Sequence, residues 1–174
     1  IHFSSDCIFS GKKGFYSEFD TPDPTDIYGK SKLLGELNYP NTLTIRKSVI
    51  GHELFLQKGL LEWFLGQKDI VNGFINAIFS GLTVLELAII IDKYIIPNKQ
   101  LSGILNIAGQ SISKYDLLSI ISNEYKKKIK IIPNDLLKIN RSLNSEDFNK
   151  KTGYQTNSWP QLITSMREFN FLEK

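Results

Sequence analysis

Tyr28 and Lys32 stand four residues apart in "DIYGKSK", which on a helix stacks the phenol and the ammonium on a single face. That pairing has a chemical use. A phenol titrates near about pH 10, too high for an efficient proton shuttle at neutrality. An adjacent ammonium favours the phenolate and lowers that value. The hydroxyl then suits giving a proton to a carbonyl oxygen as negative charge builds there. A second hydroxyl, such as Ser5, could hold the same oxygen by a hydrogen bond, and Lys32 could reach a cofactor ribose. Spacing alone is a weak signal: with seven Tyr and 18 Lys in the chain, about one such match arises by chance. The competing reading is an exposed helical pair worth a few tenths of a kcal/mol.

Other residues invite the same double reading. "SSDCIFSG" (4–11) follows the apolar start Ile1-His2-Phe3, and small polar groups at the carboxyl end of a strand are where an α/β protein meets its ligand. Asp6 either caps a loop or faces a ligand. Cys7 reads as buried filler, because no cation near it in the sequence lowers its pKa. Arg141 is one of three arginines in a chain that prefers Lys. It suits either a sugar-nucleotide diphosphate or a buried carboxylate. His2 and His52 are 50 residues apart with no second ligand at zinc spacing, so no metal site is expected. His52 reads as a turn histidine rather than a substrate contact. Trp63 and Trp159 read as core.

These groups need elements to hold them. Residues 1–5 read as a strand and 10–25 as a loop rich in Gly, Pro and acidic residues. "DIYGKSKLLGELN" (26–38) has a helical period with Asp26 as N-cap. "TLTIRKSVI" (42–50) reads as a strand closed by Gly51. Helices follow over 54–67, over 83–95 with Thr83 as cap, and over 113–128 with Ser113 as cap and lysines at its end. "FINAIFSG" (74–81) reads as a strand or an extended segment, and "GILNIAG" (103–109) and "IKIIP" (129–133) read as strands. "NSEDFNKKTG" and "SWPQLITSMREF" read as short helices, the second with Pro160 in its first turn. The alternation of strand and helix predicts an α/β fold with a largely parallel sheet.

Composition narrows the function classes. Hydrophobic residues make up 41% and charged residues 22% of 174 residues, an ordinary globular mixture. The formal charge is +3, and 18 of the 21 basic residues are Lys, which argues against a nucleic-acid surface because Arg is the preferred reader of phosphate and guanine. Lys126-Lys127-Lys128 with Lys130 reads as a solvated helix end. The single Cys7 excludes an internal disulfide and fits a reducing, cytoplasmic setting. No apolar run reaches membrane-spanning length.

The ordered set "SSDCIFSG", "YSEFDTPDPTDIYGKSKLLGE" and "IRKSVIGHE" resembles the extended short-chain dehydrogenase/reductase family, in particular its dTDP-4-dehydrorhamnose reductase branch. The resemblance continues more loosely through "SGLTVLELAIII" and "GILNIAGQSISKYDLLSII". It implies a partial Rossmann-like parallel sheet with a small carboxyl-terminal substrate lobe. Residues 1–109 would be the carboxyl-terminal part of the dinucleotide-binding fold, with substrate-lobe insertions near 54–80, and residues 110–174 the lobe. It further implies Ser5, Tyr28 and Lys32 as catalytic residues. Tyr28, Lys32, Ser48, Val49 and Ile50 would lie along NADP or NAD, and Asp6, Cys7 and Arg141 against a nucleotide-sugar substrate. Ser48 has the plainer alternative of satisfying backbone groups. Cys7 stands where the branch usually has Tyr.

The activity so implied is reduction of a 4-keto-deoxysugar nucleotide in dTDP-rhamnose or polysaccharide biosynthesis, with a homodimer as a possible assembly. The alternatives are an epimerase or dehydratase of the same family, or a non-catalytic binding homologue such as the regulatory subunit of methionine adenosyltransferase. No Gly-x-x-Gly-x-x-Gly turn stands in the chain. The family's phosphate cradle is of that kind, so the chain reads as the carboxyl-terminal part of a reductase, lacking about a hundred residues by usual domain size. The isolated chain is therefore expected to bind a nicotinamide cofactor poorly and to be inactive, with an unprotected sheet edge near residues 1–5.

Overall fold

The computed structural model describes residues 1–55 and 58–169. A three-stranded parallel sheet carries the candidate residues. Its strands are β1 (His2–Phe3), β2 (Leu43–Arg46) and β7 (Gly103–Asn106), in the order β1-β2-β7. Register is fixed by His2 opposite Thr44 and Leu43 opposite Gly103. The central strand β2 is buried at all four positions, as expected of a parallel strand covered on both faces. Ile45 and Leu105 lie fully within the core, each contributing about 1.5–3 kcal/mol of apolar burial. β1 is the edge strand, with its far side open among the described residues.

Helix α1 (Ile27–Leu34) follows the acidic loop, and Asp26 caps it by accepting a hydrogen bond from Gly29 N at 2.7 Å. The helix ends at Leu34, short of the sequence expectation. Gly35 and Glu36 turn away so that Glu36 can reach the sheet. The strand expected over 42–50 is broken at Lys47-Ser48 into β2 and β3 (Val49–Ile50). β3 leaves the main sheet to pair in parallel with β6 (Leu82–Thr83). The helix expected over 54–67 is shorter: α2 spans Leu60–Gly66, Leu54 and Phe55 lie outside it, and Leu56 and Gln57 lie outside the described residues.

β4 (Ile70–Phe74), not expected from the sequence, pairs in parallel with β9 (Lys130–Asn134), where a strand was expected. β5 (Ala77–Phe79) falls within the segment expected to be extended over 74–81 and sits between β10 (Ile139–Asn140) and β8 (Ile112–Ser113), two short strands not expected from the sequence. Helix α3 (Val84–Ile90), capped by Thr83, continues as a π-turn over Ile91–Ile95. Helix α4 (Lys114–Glu124) is capped by Ser113, whose hydroxyl accepts from Asp116 N at 3.0 Å. Helices α5 (Glu146–Thr152) and α6 (Trp159–Glu168) close the chain, with α6 packed on α3 and α4. One large apolar cluster runs from Leu43 and Ile45 through Phe64, Leu117 and Ile163. Trp159 belongs to it and donates through Nε1 to Gln110 O at 2.7 Å, whereas Trp63 is 40% exposed. No helix among the described residues is long and apolar enough to cross a membrane.

Candidate functional site

Beyond Phe3 the chain leaves the sheet and enters a single 3-10 turn over Asp6–Ile8. Ser5 caps this turn. Its hydroxyl accepts from Cys7 N at 3.1 Å and donates to Asp6 Oδ1 at 3.1 Å. The sequence reading missed the turn, which folds two hydroxyls and a carboxylate inward where a straight strand would alternate them. Ser5 is only 5% exposed. Its Oγ is held in place while the O–H remains free to rotate from Asp6 to another acceptor.

Helix α1 rests on this turn at closest possible range. A Cβ on Gly29 would stand 2.1 Å from the Cys7 carbonyl oxygen, so only glycine allows the approach. The residue before it, Tyr28, is thereby brought beside the Ser5–Cys7 turn. Tyr28 is 54% exposed and its hydroxyl forms no hydrogen bond among the described residues. One turn on, Lys32 donates through Nζ to Phe3 O at 2.8 Å. Ser4 N bonds toward β2, at Ile45 O, and in a parallel strand the neighbouring residue's groups point the other way. The Phe3 carbonyl therefore faces the open edge, and the Lys32 ammonium covers it.

Asp6 is buried among unlike neighbours. Burial pushes its carboxyl above the usual range. The Ser5 and Ser48 hydroxyls, which hydrogen-bond it, and the charges of Arg141 and Lys114 work in the opposite direction. The Ser48 side chain therefore faces the site as well as serving the backbone, where its carbonyl accepts from Leu82 N at 3.0 Å. Val49 and Ile50 are the next two residues, on β3. Lys47, immediately before Ser48, is pulled below its usual range by burial and by the Lys32 charge, with Asp6 opposing. Lys47, Lys32 and Asp6 thus share one electrostatic neighbourhood.

Cys7 requires a correction. A cation does stand next to it: Arg141 Nη1 donates to Cys7 Sγ at 3.3 Å. The thiol is nonetheless pushed up, first by burial and then by the Asp6 charge, which together outweigh Ser5 and Arg141. Arg141 also pairs with Asp26 at 3.6 Å, and its Nε is buried without an acceptor among the described residues. It thereby ties the α1 cap to the Ser5–Cys7 turn.

Sequence reasoning missed two members of this group. Lys114, the first residue of α4, lies with its Nζ 4.0 Å from the centre of the Phe79 ring. Burial pushes it down to about 8, against the attraction of Asp6 and Cys7. A sequence signal existed, because a lysine in the first turn of a helix opposes the helix dipole. Lys47, one of two adjacent charges in "LTIRKSVI", carried no signal that set it apart. His52, expected as a turn histidine, stands after Gly51 outside any helix or strand. Its ring lies between Glu62 Oε1 at 2.7 Å and Tyr125 Oη at 2.9 Å, joining α2 to the end of α4.

The donor set around the carboxyl ends of β1 and β2 fits a nicotinamide nucleotide. An unengaged phenol and an ammonium share one helix face there, and half-buried Ser48 and Val49 follow β2.

Residues 1–52 match the RmlD substrate binding domain family. Over 56 residues, 29% of this chain and 18% of the relative, the sequence is 45% identical to the probable low-salt glycan biosynthesis reductase Agl14 of Haloferax volcanii. Over 36 residues, 21% of this chain and 11% of the relative, it is 50% identical to methionine adenosyltransferase 2 subunit beta of Danio rerio. The fold superimposes on dTDP-4-dehydrorhamnose reductase from Bacillus anthracis, solved in complex with NADP. The TM-score is 0.80 and the identity 21%, over 97% of this chain and 65% of that one. At that identity the structural likeness is one of fold, and the chain spans less than two thirds of the length of these proteins.

Proposed function

We propose that this chain, an RmlD-like member of the short-chain dehydrogenase/reductase family, forms the catalytic and substrate-binding part of a nucleotide-sugar reductase acting on a 4-keto-deoxysugar. The single observation that carries the reading is the seating of α1 through Gly29 on the Ser5–Cys7 turn, which supports Tyr28 and Ser5 acting on one oxygen.

In this reading Tyr28 gives its proton to the sugar oxygen, and Ser5 holds that oxygen by turning its O–H from Asp6. Lys32 favours the phenolate that remains and meets the ribose of the cofactor, leaving Phe3 O to do so. Ser48, Val49 and Ile50 line the nicotinamide side, with Tyr28 and Lys32 at the ribose. NADP or NAD, in its reduced form, would supply the hydride when bound. Asp6, Cys7 and Arg141 face the sugar. We assign residues 1–109 to the dinucleotide-binding part, with the insertions near 54–80, and residues 110–174 to the substrate lobe. A homodimer and a cytoplasmic setting go with this assignment.

The Haloferax relative is named as a reductase, which favours reduction over epimerisation or dehydration. The likeness to methionine adenosyltransferase 2 subunit beta favours a binding module as the second reading. The test is to give the full-length protein a dTDP-4-keto-6-deoxysugar and NADPH. The reductase reading expects stoichiometric loss of the nicotinamide absorbance. Binding of both ligands without turnover would support the module instead.

A further inference from the structure

Arg141 reaches the site from the far part of the chain and is fixed at both ends. Its neighbours are pinned: Asn140 N donates to Gly11 O at 2.7 Å, and the Ser142 hydroxyl accepts from Phe15 N at 2.8 Å. Its stem lies against Gly11, where a Cβ would stand 3.1 Å from Arg141 Cγ. At its tip, Nη1 donates to Cys7 Sγ at 3.3 Å and Nη2 pairs with Asp26 Oδ2 at 3.6 Å. The two residues so held are the two halves of one contact. Asp26 divides its carboxylate: Oδ1 accepts from Gly29 N at 2.7 Å as the cap of α1, and Oδ2 meets Arg141. Cys7 supplies the carbonyl on which Gly29 rests. Tyr28 is bracketed by these anchors, after Asp26 and just before Gly29.

Stability alone does not account for the arrangement. The Asp26 side chain is 48% exposed, so its pair with Arg141 adds little to folding. What the guanidinium adds is a fixed relation between the start of α1 and the turn that carries Ser5. Reacting groups are sensitive to such relations, because a misplacement of about 1 Å lowers a rate by about 10²-fold. Resting on the reductase reading above, we propose that Arg141 is a positioning residue for proton delivery. It clamps the α1 cap to the Ser5–Cys7 turn and acts on turnover through Tyr28, rather than by adding to the affinity for the nucleotide sugar.

The test is a double-variant cycle in the full-length protein, with a dTDP-4-keto-6-deoxysugar and NADPH as probes. Arg141→Gln should lower kcat by about 10–100-fold and leave KM for the sugar nucleotide within about twofold. In a Tyr28→Phe background the same change should lower kcat by less than about threefold, because the phenol it serves is gone. Asp26→Asn keeps a good cap but removes the charge facing Nη2, and it should lower kcat in the same direction by a smaller factor. Arg141→Lys, which can restore one of the two contacts, should fall between Arg141→Gln and the parent. A raised KM with kcat unchanged would assign Arg141 to sugar binding and overturn the proposal. A loss of kcat equally large with and without the Tyr28 hydroxyl would overturn it too, leaving Arg141 a general structural role. Absence of turnover in the unaltered full-length protein would overturn the reductase reading itself and this inference with it.

Discussion

Two buried charged clusters flank β1, and they are finished differently. In the first, Arg46 on β2 donates to both Glu36 oxygens, at 2.9 and 2.7 Å, with the side chains only 4% and 6% exposed. Ser4 Oγ adds a bond to Glu36 at 2.6 Å, and the Phe9 ring lies 5.4 Å from the guanidinium. Each charge there has its partner. In the second, around Asp6, donors outnumber acceptors: Lys114 has no ion pair, Arg141 keeps an idle Nε, and Tyr28 Oη is unengaged among the described residues. A closed cluster fastens α1 and its tail to the sheet.

That contrast sets the size of four mutational effects. Glu36→Ala should have the largest, because it strands Arg46 in the core. A buried pair broken from one side costs about 3–5 kcal/mol, to be read as a lowered denaturant midpoint with unchanged slope. Gly29→Ala comes next. The added Cβ meets the Cys7 carbonyl at 2.1 Å, so α1 must lift from the turn at about 1–3 kcal/mol, measurable by thermal unfolding. The same variant should lose turnover in the full-length protein, since Tyr28 moves with the helix.

Lys114→Met should act in the opposite direction and stabilise. Burial pushes the Lys114 ammonium from 10.5 down to about 8, so between those values the folded chain has shed a proton that the unfolded chain keeps. Stability therefore rises with pH across that window, and the burial cost is fully felt below about pH 8. The gain from Lys114→Met should be present at pH 7 and fade toward pH 10.5, as urea titrations at several pH values would show. A gain that persists unchanged at high pH would contradict the charge argument. The smallest effect belongs to Lys151→Ala. It breaks an exposed pair with Asp147 at 2.8 Å and should stay within about 0.5 kcal/mol by the same unfolding assay.

The sequence revealed what depends on local spacing. Tyr28 and Lys32 share a face because residues four apart must, and Asp26, Thr83 and Ser113 cap helices because their hydroxyl or carboxylate sits one position before an apolar run. What depends on long-range closure was not legible. Nothing in "TLTIRKSVI" announces that Arg46 will turn to Glu36 ten residues back, or that the strand will break at Lys47-Ser48 to change sheets. The Arg141 contact with Cys7 spans 134 residues. Short strands such as β8 and β10 carry too few residues for a period of two to be seen. Lys114 was marked in the sequence only as a lysine in a helix's first turn, and its neighbours emerged when the fold set it against Phe79.

Tyr28→Phe in the full-length protein tests the proposed role of Tyr28 as proton donor most directly. With the nucleotide sugar and the reduced cofactor both shown to bind, turnover should fall by about 10²–10⁴-fold. The half-exposed ring should leave stability within about 0.5 kcal/mol of the parent. Turnover retained at the parent's level, with the fold intact, would contradict it.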